Sequence, residues 1–314
     1  VRNRHGTFTL TLPGGRTVTA PLGTSMLEAI RQAGLPHAAL CGGRARCTTC
    51  RVRVGQGAEH LEPPEPLEAA ALARLNAEPP VRLACQLRPR RDMVVAPLLS
   101  PAITPADNRH QRGGVNGHEQ EVTVLFADLR GSTRLGEARL PYDVLFLLNQ
   151  FFTEMAGALD ATGGHYAQFS GDGLMALYGL RGKPDQGARA AFQGALGMLE
   201  RLDALNDRLA DELDAPLRMG IGIHAGEAIV GTMGPPNAPN YSAIGDNVNI
   251  AARLESQTKE LGTPLVASVA ALEMAGLDPD ALVARGATRH EVTVKGRTAP
   301  LPVLAISDPS LLDG

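Results

Sequence analysis

The chain has 314 residues, 44% of them hydrophobic, and it contains no Trp. That length accommodates two domains with full cores. No apolar run approaches the roughly 20 residues needed to span a membrane, so a soluble, cytoplasmic protein is expected. The net charge of −3 is unevenly spread: residues 1–100 carry 13 Arg against 7 Asp and Glu, and the remainder carries 17 Lys and Arg against 26 Asp and Glu. No Lys/Arg run is interleaved with aromatics, which excludes a nucleic-acid partner. The imbalance suits attraction between the halves, an acidic partner for the first half, or simply a solvated Arg-rich surface. No signal peptide opens the chain. It begins at Val1 rather than Met, which is compatible with an upstream membrane or sensor region and a tether to the membrane.

In the first hundred residues, strands are predicted over 7–12 and 16–20, turning at Pro13-Gly-Gly. A helix follows over 25–33, with Thr24 or Ser25 as its cap and Gly34 as its stop. Further strands are predicted over 51–54, 82–87 and 92–96, with a helix over 66–76. All four cysteines lie here: Cys41, Cys47, Cys50 and Cys85. Disulfides are a poor reading, because three of the four crowd into one short loop. Zinc usually takes two C-x-x-C pairs, and only Cys47/Cys50 makes one. A [2Fe–2S] cluster takes three thiolates from one wrapping loop and a fourth from elsewhere, which is the spacing found. Gly42 and Gly43 let the backbone close on the cluster with N–H groups toward sulfur. Zinc or free thiols are the alternatives. The order of strand pair, helix, Cys loop and strand resembles the β-grasp [2Fe–2S] ferredoxins, and the five-residue gap between Cys41 and Cys47 is similar to their adrenodoxin-like branch. Such ferredoxins are commonly acidic, and this domain is basic, which sets it apart from an ordinary electron shuttle.

Residues 101–120 are rich in Pro, Asn, Gly and His without an apolar period, and read as a linker. Domains are therefore expected at 1–100 and 121–307, with 308–314 as a tail. The second domain opens with a near-continuous apolar strand over 122–127 that ends in Asp128. Behind it Leu129, Arg130, Gly131, Ser132 and Thr133 present backbone N–H groups at a helix start, a seat for phosphate. A helix over 141–161 places Tyr142, Leu145, Phe146, Leu148, Phe152 and Met155 mostly on one face, as core or dimer surface. A hairpin, 166–170 and 174–178, carries Asp172 at a Gly-Asp-Gly tip. Alone, an Asp after a strand is usually a helix cap and Gly-Asp-Gly a turn. Together, carboxylates on neighbouring turns can bridge two divalent cations about 3.5–4 Å apart, as in-line phosphoryl chemistry uses.

A helix over 184–209 comes next, then strands over 217–224 and 228–232 hinged at Ala225-Gly226. His224 reads as strand-end packing or a dimer contact, with a general base as the sharper alternative. A strand over 241–245 leads into a helix over 246–261, where Asn249 and Arg253 share a face at i, i+4. A final hairpin, 290–294 and 302–306, surrounds Lys295.

The motifs Phe126-Ala-Asp-Leu-Arg-Gly-Ser-Thr133, Phe169-Ser-Gly-Asp-Gly173, Gly220-Ile-Gly-Ile-His-Ala-Gly226 and Ala243-Ile-Gly-Asp-Asn-Val-Asn-Ile-Ala-Ala-Arg-Leu254 together resemble the class III nucleotidyl cyclases, in that family's order. The resemblance implies an α+β chain: a β-grasp ferredoxin domain, then a domain like the ferredoxin-like palm of nucleotide polymerases. It implies two Mg²⁺ or Mn²⁺ on Asp128 and Asp172, ribose orientation by Asn249, phosphate stabilisation by Arg253 and triphosphate contact by Lys295. It also implies a homodimer with sites shared between chains. Gln168 and Ser242 stand where the family reads the base. Both can donate or accept, which leaves ATP favoured and GTP open. The cluster is expected to sense redox state, or else to be a structural staple. An electron-transfer module on an inactive cyclase scaffold is the remaining reading, and an electron donor is the partner a sensing cluster implies.

Overall fold

In Thr7–Thr11 (β1) every second residue, Phe8 and Leu10, is buried, and in Thr17–Pro21 (β2) so are Val18 and Ala20. A period of two is what a half-covered antiparallel pair requires, and the register runs from Thr7 opposite Pro21 to Thr11 opposite Thr17. The computed structural model describes residues 6–99, 117–131, 139–234, 239–294 and 300–312. It divides into two units, Val1–His118 and Glu119–Gly314. Among the described residues no helix is long and apolar enough to cross a membrane.

In the first unit, helix α1 (Met26–Gln32) starts at Ser25, whose side chain accepts from the Glu28 N–H. It buries Met26, Leu27, Ala29 and Ile30. Strand β3 (Arg51–Val54), helix α2 (Pro66–Ala73), β4 (Val81–Leu83) and β5 (Met93–Pro97) complete a sheet of order β2-β1-β5-β3-β4, with β1 and β5 parallel. This is the expected β-grasp arrangement. Glu68 of α2 is fully buried and accepts from Arg82 Nε (2.9 Å), Arg82 Nη2 (2.7 Å) and Leu83 N (2.7 Å), which ties α2 to β4. Two predictions need correction. Helix α2 ends at Ala73, short of residue 76. The strand expected over 82–87 ends at Leu83, because Leu87 N–H turns back to Leu83 O at 3.0 Å. That turn lifts Cys85 out of the sheet.

The second unit begins with β6 (Gly117–Arg130), which starts inside the stretch read as linker and runs past Asp128. Helix α3 (Pro141–Thr162), β7 (His165–Ser170), β8 (Gly173–Tyr178), α4 (Pro184–Arg208) and β9 (Arg218–Met233) follow. Then come β10 (Asn240–Ile244), α5 (Asp246–Glu260), β11 (Leu265–Ser268), α6 (Val269–Ala275), α7 (Pro279–Ala284), β12 (Thr288–Val292) and β13 (Leu301–Ile306). The sheet order is β12-β13-β11-β9-β6-β8-β7, with β10 beside β9. The βαββαβ succession from β6 to β9, with neighbours β9-β6-β8-β7, is the palm-like layout. Residues 217–224 and 228–232 are not two hinged strands. They form one strand, β9, whose first half pairs with β11 and whose second half pairs with β10.

One sheet face packs against α3, α4 and α6 through Leu125, Phe151, Met155, Phe192 and Leu272. The residues expected on one face of α3 split: Met155 is buried, whereas Tyr142, Leu145 and Phe146 are exposed. The other sheet face receives α5, through Ile250, Ala251 and Leu254. Helix α5 lies unusually close to β9. A Cβ on Gly222 would stand 2.1 Å from Glu255 N and 2.5 Å from Ala251 O, and one on Gly220 would stand 2.2 Å from Thr258 Oγ1. Glycine is therefore a packing requirement here rather than a turn device.

Gly222→Ala forces the α5 backbone off the sheet and is expected to lower the stability of this unit by roughly 3 kcal/mol. Urea unfolding measures it; a midpoint equal to wild type would mean that α5 is not seated on β9 as described.

Candidate functional site

Asp128 faces Gly173 across the β6–β8 ladder. A Cβ on Gly173 would lie 2.6 Å from Asp128 Oδ1, so the second glycine of Gly171-Asp172-Gly173 clears space for the carboxylate. Gly171 takes φ +66°, which glycine adopts without cost. The tip thus turns tightly enough to set Asp172 beside Asp128. Burial, and then the charge of Asp172, push the Asp128 carboxyl from 3.8 up to about 6. Two hard oxygen donors that repel each other in a half-buried niche are the donor set that Mg²⁺ or Mn²⁺ suits.

A third carboxylate, Glu255 of α5, was not singled out from the sequence. Burial, then the charge of Asp128, push it from 4.5 up to about 7. Among the described residues no three His, Cys, Asp or Glu form a ligand set for one ion. Glu255 therefore shapes the field at the pair. The available signal was its place on the inward face of α5, four residues after Ala251 and three before Thr258, both buried.

The phosphate-seat expectation is altered at one point. β6 extends through Arg130, and Leu129 is buried with its N–H on Asp172 O at 3.4 Å. That donor joins the two turns, because strand pairing carries on beyond Asp128. Arg130 Nη2 reaches Thr263 O at 2.5 Å, and Gly131 turns with φ +73°. Ser132, Thr133 and Lys295 lie outside the described residues.

Asn249 and Arg253 are exposed on α5, opposite the face seated on β9. Gln168 is exposed on β7, and Ser242 is buried on β10. Their strands are laced together, since Asn240 Nδ2 donates to Ala167 O and His165 Nε2 lies 3.0 Å from Tyr241 O. His224 is buried at the centre of β9, so it is not a strand end.

In the first unit the thiols stand as two pairs. Cys41 N–H points at Cys47 Sγ (3.4 Å), and Cys50 and Cys85 share a hydrogen bond. Burial works to raise Cys41, but hydrogen bonds from Cys47 and from the Arg44, Gly43 and Arg46 backbones outweigh it and lower the thiol. The bond with Cys50 holds Cys85 down at about 6 and pushes Cys50 up. Gln86 Nε2 donates to Cys85 Sγ at 3.4 Å. His37, another residue missed in the sequence, lies 3.2 Å from Cys50 O. Four cysteine sulfurs in two pairs, ringed by N–H donors, fit a two-iron cluster that would take two thiolates per iron.

The comparisons agree with this division. Residues 115–303 match the family model for the adenylate and guanylate cyclase catalytic domain, and residues 10–90 match that for the 2Fe-2S iron-sulfur cluster binding domain. Adenylate cyclase 1 of Rhizobium meliloti (strain 1021) is 35% identical over 156 residues, covering 50% of this chain and 24% of that protein. An adenylate cyclase of Anabaena cylindrica is 34% identical over 147 residues, covering 46% of this chain and 28% of that protein. The match thus spans about a quarter of each curated relative. Among solved structures, the guanylyl cyclase Cya2 superposes with TM-score 0.54 at 31% identity, over 60% of this chain and 93% of that one. The adenylyl cyclase CyaB from P. aeruginosa superposes with TM-score 0.52 at 25% identity, over 61% and 96%. The chain belongs to the class III adenylate and guanylate cyclase catalytic domain family, joined to an N-terminal 2Fe-2S ferredoxin-type domain.

Proposed function

We propose that the chain is an adenylate cyclase that converts ATP to 3′,5′-cyclic AMP and pyrophosphate, in a homodimer, under control of its [2Fe–2S] cluster. The observation that carries the reading is the Asp128–Asp172 pair, forced together beside Gly173 in a niche that disfavours their charge. Asp128 and Asp172 hold the divalent cations. Bound there, Mg²⁺ or Mn²⁺ supplies Lewis-acid stabilisation of the reacting phosphate and eases ionisation of the ribose hydroxyl. The 3′-oxygen bonds to the α-phosphorus, the bond to pyrophosphate breaks, and the hydroxyl proton leaves to solvent or substrate phosphate. Asn249 orients the ribose, and the Arg253 guanidinium takes up the charge that develops on the phosphate. Lys295, Arg130, Gly131, Ser132 and Thr133 hold the triphosphate, while the Leu129 N–H stays on Asp172 O. Gln168 and Ser242 read the base.

Exposure of Asn249 and Arg253 supports sites completed by a second chain. The exposed Leu140, Tyr142, Leu145 and Phe146 supply apolar surface for that dimer. Cys41, Cys47, Cys50 and Cys85 hold the cluster. No Asp or Glu occurs between Glu28 and Glu59, while Arg44 and Arg46 stand exposed in the cluster loop. An electron donor for this cluster would therefore present carboxylates.

Cyclic nucleotide formation from ATP and GTP, with Mg²⁺ or Mn²⁺, on anaerobically purified protein before and after reduction, tests the whole reading. Severalfold different turnover of ATP between redox states is expected. Equal turnover would reduce the cluster to a staple, preferential use of GTP would make the enzyme a guanylate cyclase, and no turnover would leave a binding scaffold. Cys85→Ser is expected to abolish the visible absorption of the cluster and, with it, the redox dependence of turnover.

The raised Asp128 carboxyl has a thermodynamic consequence in metal-free protein. Between pH 3.8 and about 6 the folded state holds a proton that the unfolded state has released. This group's contribution to stability therefore falls as pH rises through that window. Asp128→Asn is expected to raise the melting temperature of metal-free protein at pH 8 by a few degrees relative to wild type, with a smaller difference at pH 4, and to cut turnover by at least about a hundredfold. Equal melting temperatures at pH 8 would mean that the pair carries no electrostatic strain.

A further inference from the structure

His224 sits in the middle of β9, 4% exposed, and the proposed chemistry does not use it. Its Nε2 lies 3.0 Å from Oδ1 of Asn247, the second residue of α5. Its Nδ1 lies 2.8 Å from Oγ of Ser268, the residue that caps α6. The amide of Asn247 is oriented by its other end, where Nδ2 donates to Glu227 O at 2.7 Å. Oδ1 is then an acceptor, so His224 Nε2 carries the proton. Ser268 Oγ accepts from Ala271 N at 3.2 Å and can also pair with Nδ1 of the ring. One imidazole thereby joins β9, the start of α5 and the start of α6, with each ring nitrogen partnered.

The same helix turn has a second fitted contact. A Cβ on Gly226 would lie 2.4 Å from Asn247 Nδ2. No left-handed φ is required of Gly226, so its lack of a side chain serves space alone. Asn247 is thus clasped between His224 and the glycine, two residues before Asn249 and six before Arg253. Below this clasp α5 rests on Gly220 and Gly222, which fix its distance from the sheet. Three glycines and one imidazole leave the helix little freedom to slide or rotate.

We propose that His224 is a positioning residue: through Asn247 it sets the height and rotation of α5, and hence where Asn249 and Arg253 are presented. This rests on the cyclase reading given above. The ring touches no reacting atom. Its effect arises because a guanidinium that stabilises the transition state loses its value when displaced by a fraction of an ångström, whereas substrate binding draws on other groups.

Three variants break the clasp in different ways: His224→Gln, Asn247→Ala and Gly226→Ala. Asn247 is only half-buried, so its variant keeps the fold if the His224 variant does not. Each is expected to lower kcat between about tenfold and about a hundredfold while KM for ATP stays within about twofold. The His224→Gln/Asn247→Ala double variant should lose no more than the worse single one, because both remove the same connection. Hydrogen exchange at the amides of 249–253 should accelerate at least about tenfold in all three, whether or not the protein turns over ATP. Unchanged kcat in folded variants, additive losses, or unchanged exchange at these amides would each overturn the proposal. An inactive wild type that shows the exchange effect would instead overturn the cyclase reading and leave the clasp standing.

Discussion

The second unit is arranged around two like charges that the fold holds together. Asp128 lies two residues before the end of the central strand β6, and Asp172 is brought beside it by a turn that only glycines on both sides permit. Burial and mutual repulsion raise the Asp128 carboxyl toward neutrality. Such an arrangement costs stability when nothing neutralises it and becomes favourable when a cation does, a common signature of functional sites. Strand pairing on either side keeps the two carboxylates from relaxing apart. Leu129, at the seam, spends its backbone N–H on Asp172 O and its side chain on the core.

The placement of Asn249 and Arg253 depends on how closely a helix can approach a strand. A residue with a side chain at 220 or 222 would lift α5 from β9. Glycines permit the backbones to meet, and the apolar residues Ile250, Ala251 and Leu254 close the remaining space. The inward face of that helix carries Glu255 toward the Asp pair, while the outward face carries Asn249 and Arg253 into solvent. One element thus serves two directions, and its placement matters to both.

The ferredoxin-type unit solves a different problem with a small core. Its sheet and α1 enclose Phe8, Leu10, Met26, Ile30 and Leu83, and the buried Glu68–Arg82 pair pins α2 alongside. From that frame the Cys41–Cys50 loop projects with left-handed turns at Gly42, Gly43 and Ala45. Those turns aim N–H groups at sulfur, which lowers the thiol of Cys41 and favours its thiolate.

Motif spacing alone identified the families of both halves, because their motifs set rare residues at fixed intervals: thiols around a loop, carboxylates at two turns, and an Asn and an Arg one helical turn apart. Alternation and helical period placed most strands and helices, since burial on one face imposes those periods. Local pattern could not show that β9 is continuous, because the break suggested by Ala225-Gly226 is resolved by two different partner strands. Nor could it show that Gly220, Gly222 and Gly226 make room for a helix that follows them in the chain, or that Glu255 turns inward. His224 read as a packing residue until its two nitrogens found Asn247 and Ser268. The sequence by itself determined which chemistry the chain carries, because that depends on residue type and spacing. Only the tertiary structure decided which groups share a field, a hydrogen bond or a van der Waals contact, because those depend on distances between segments far apart in the chain.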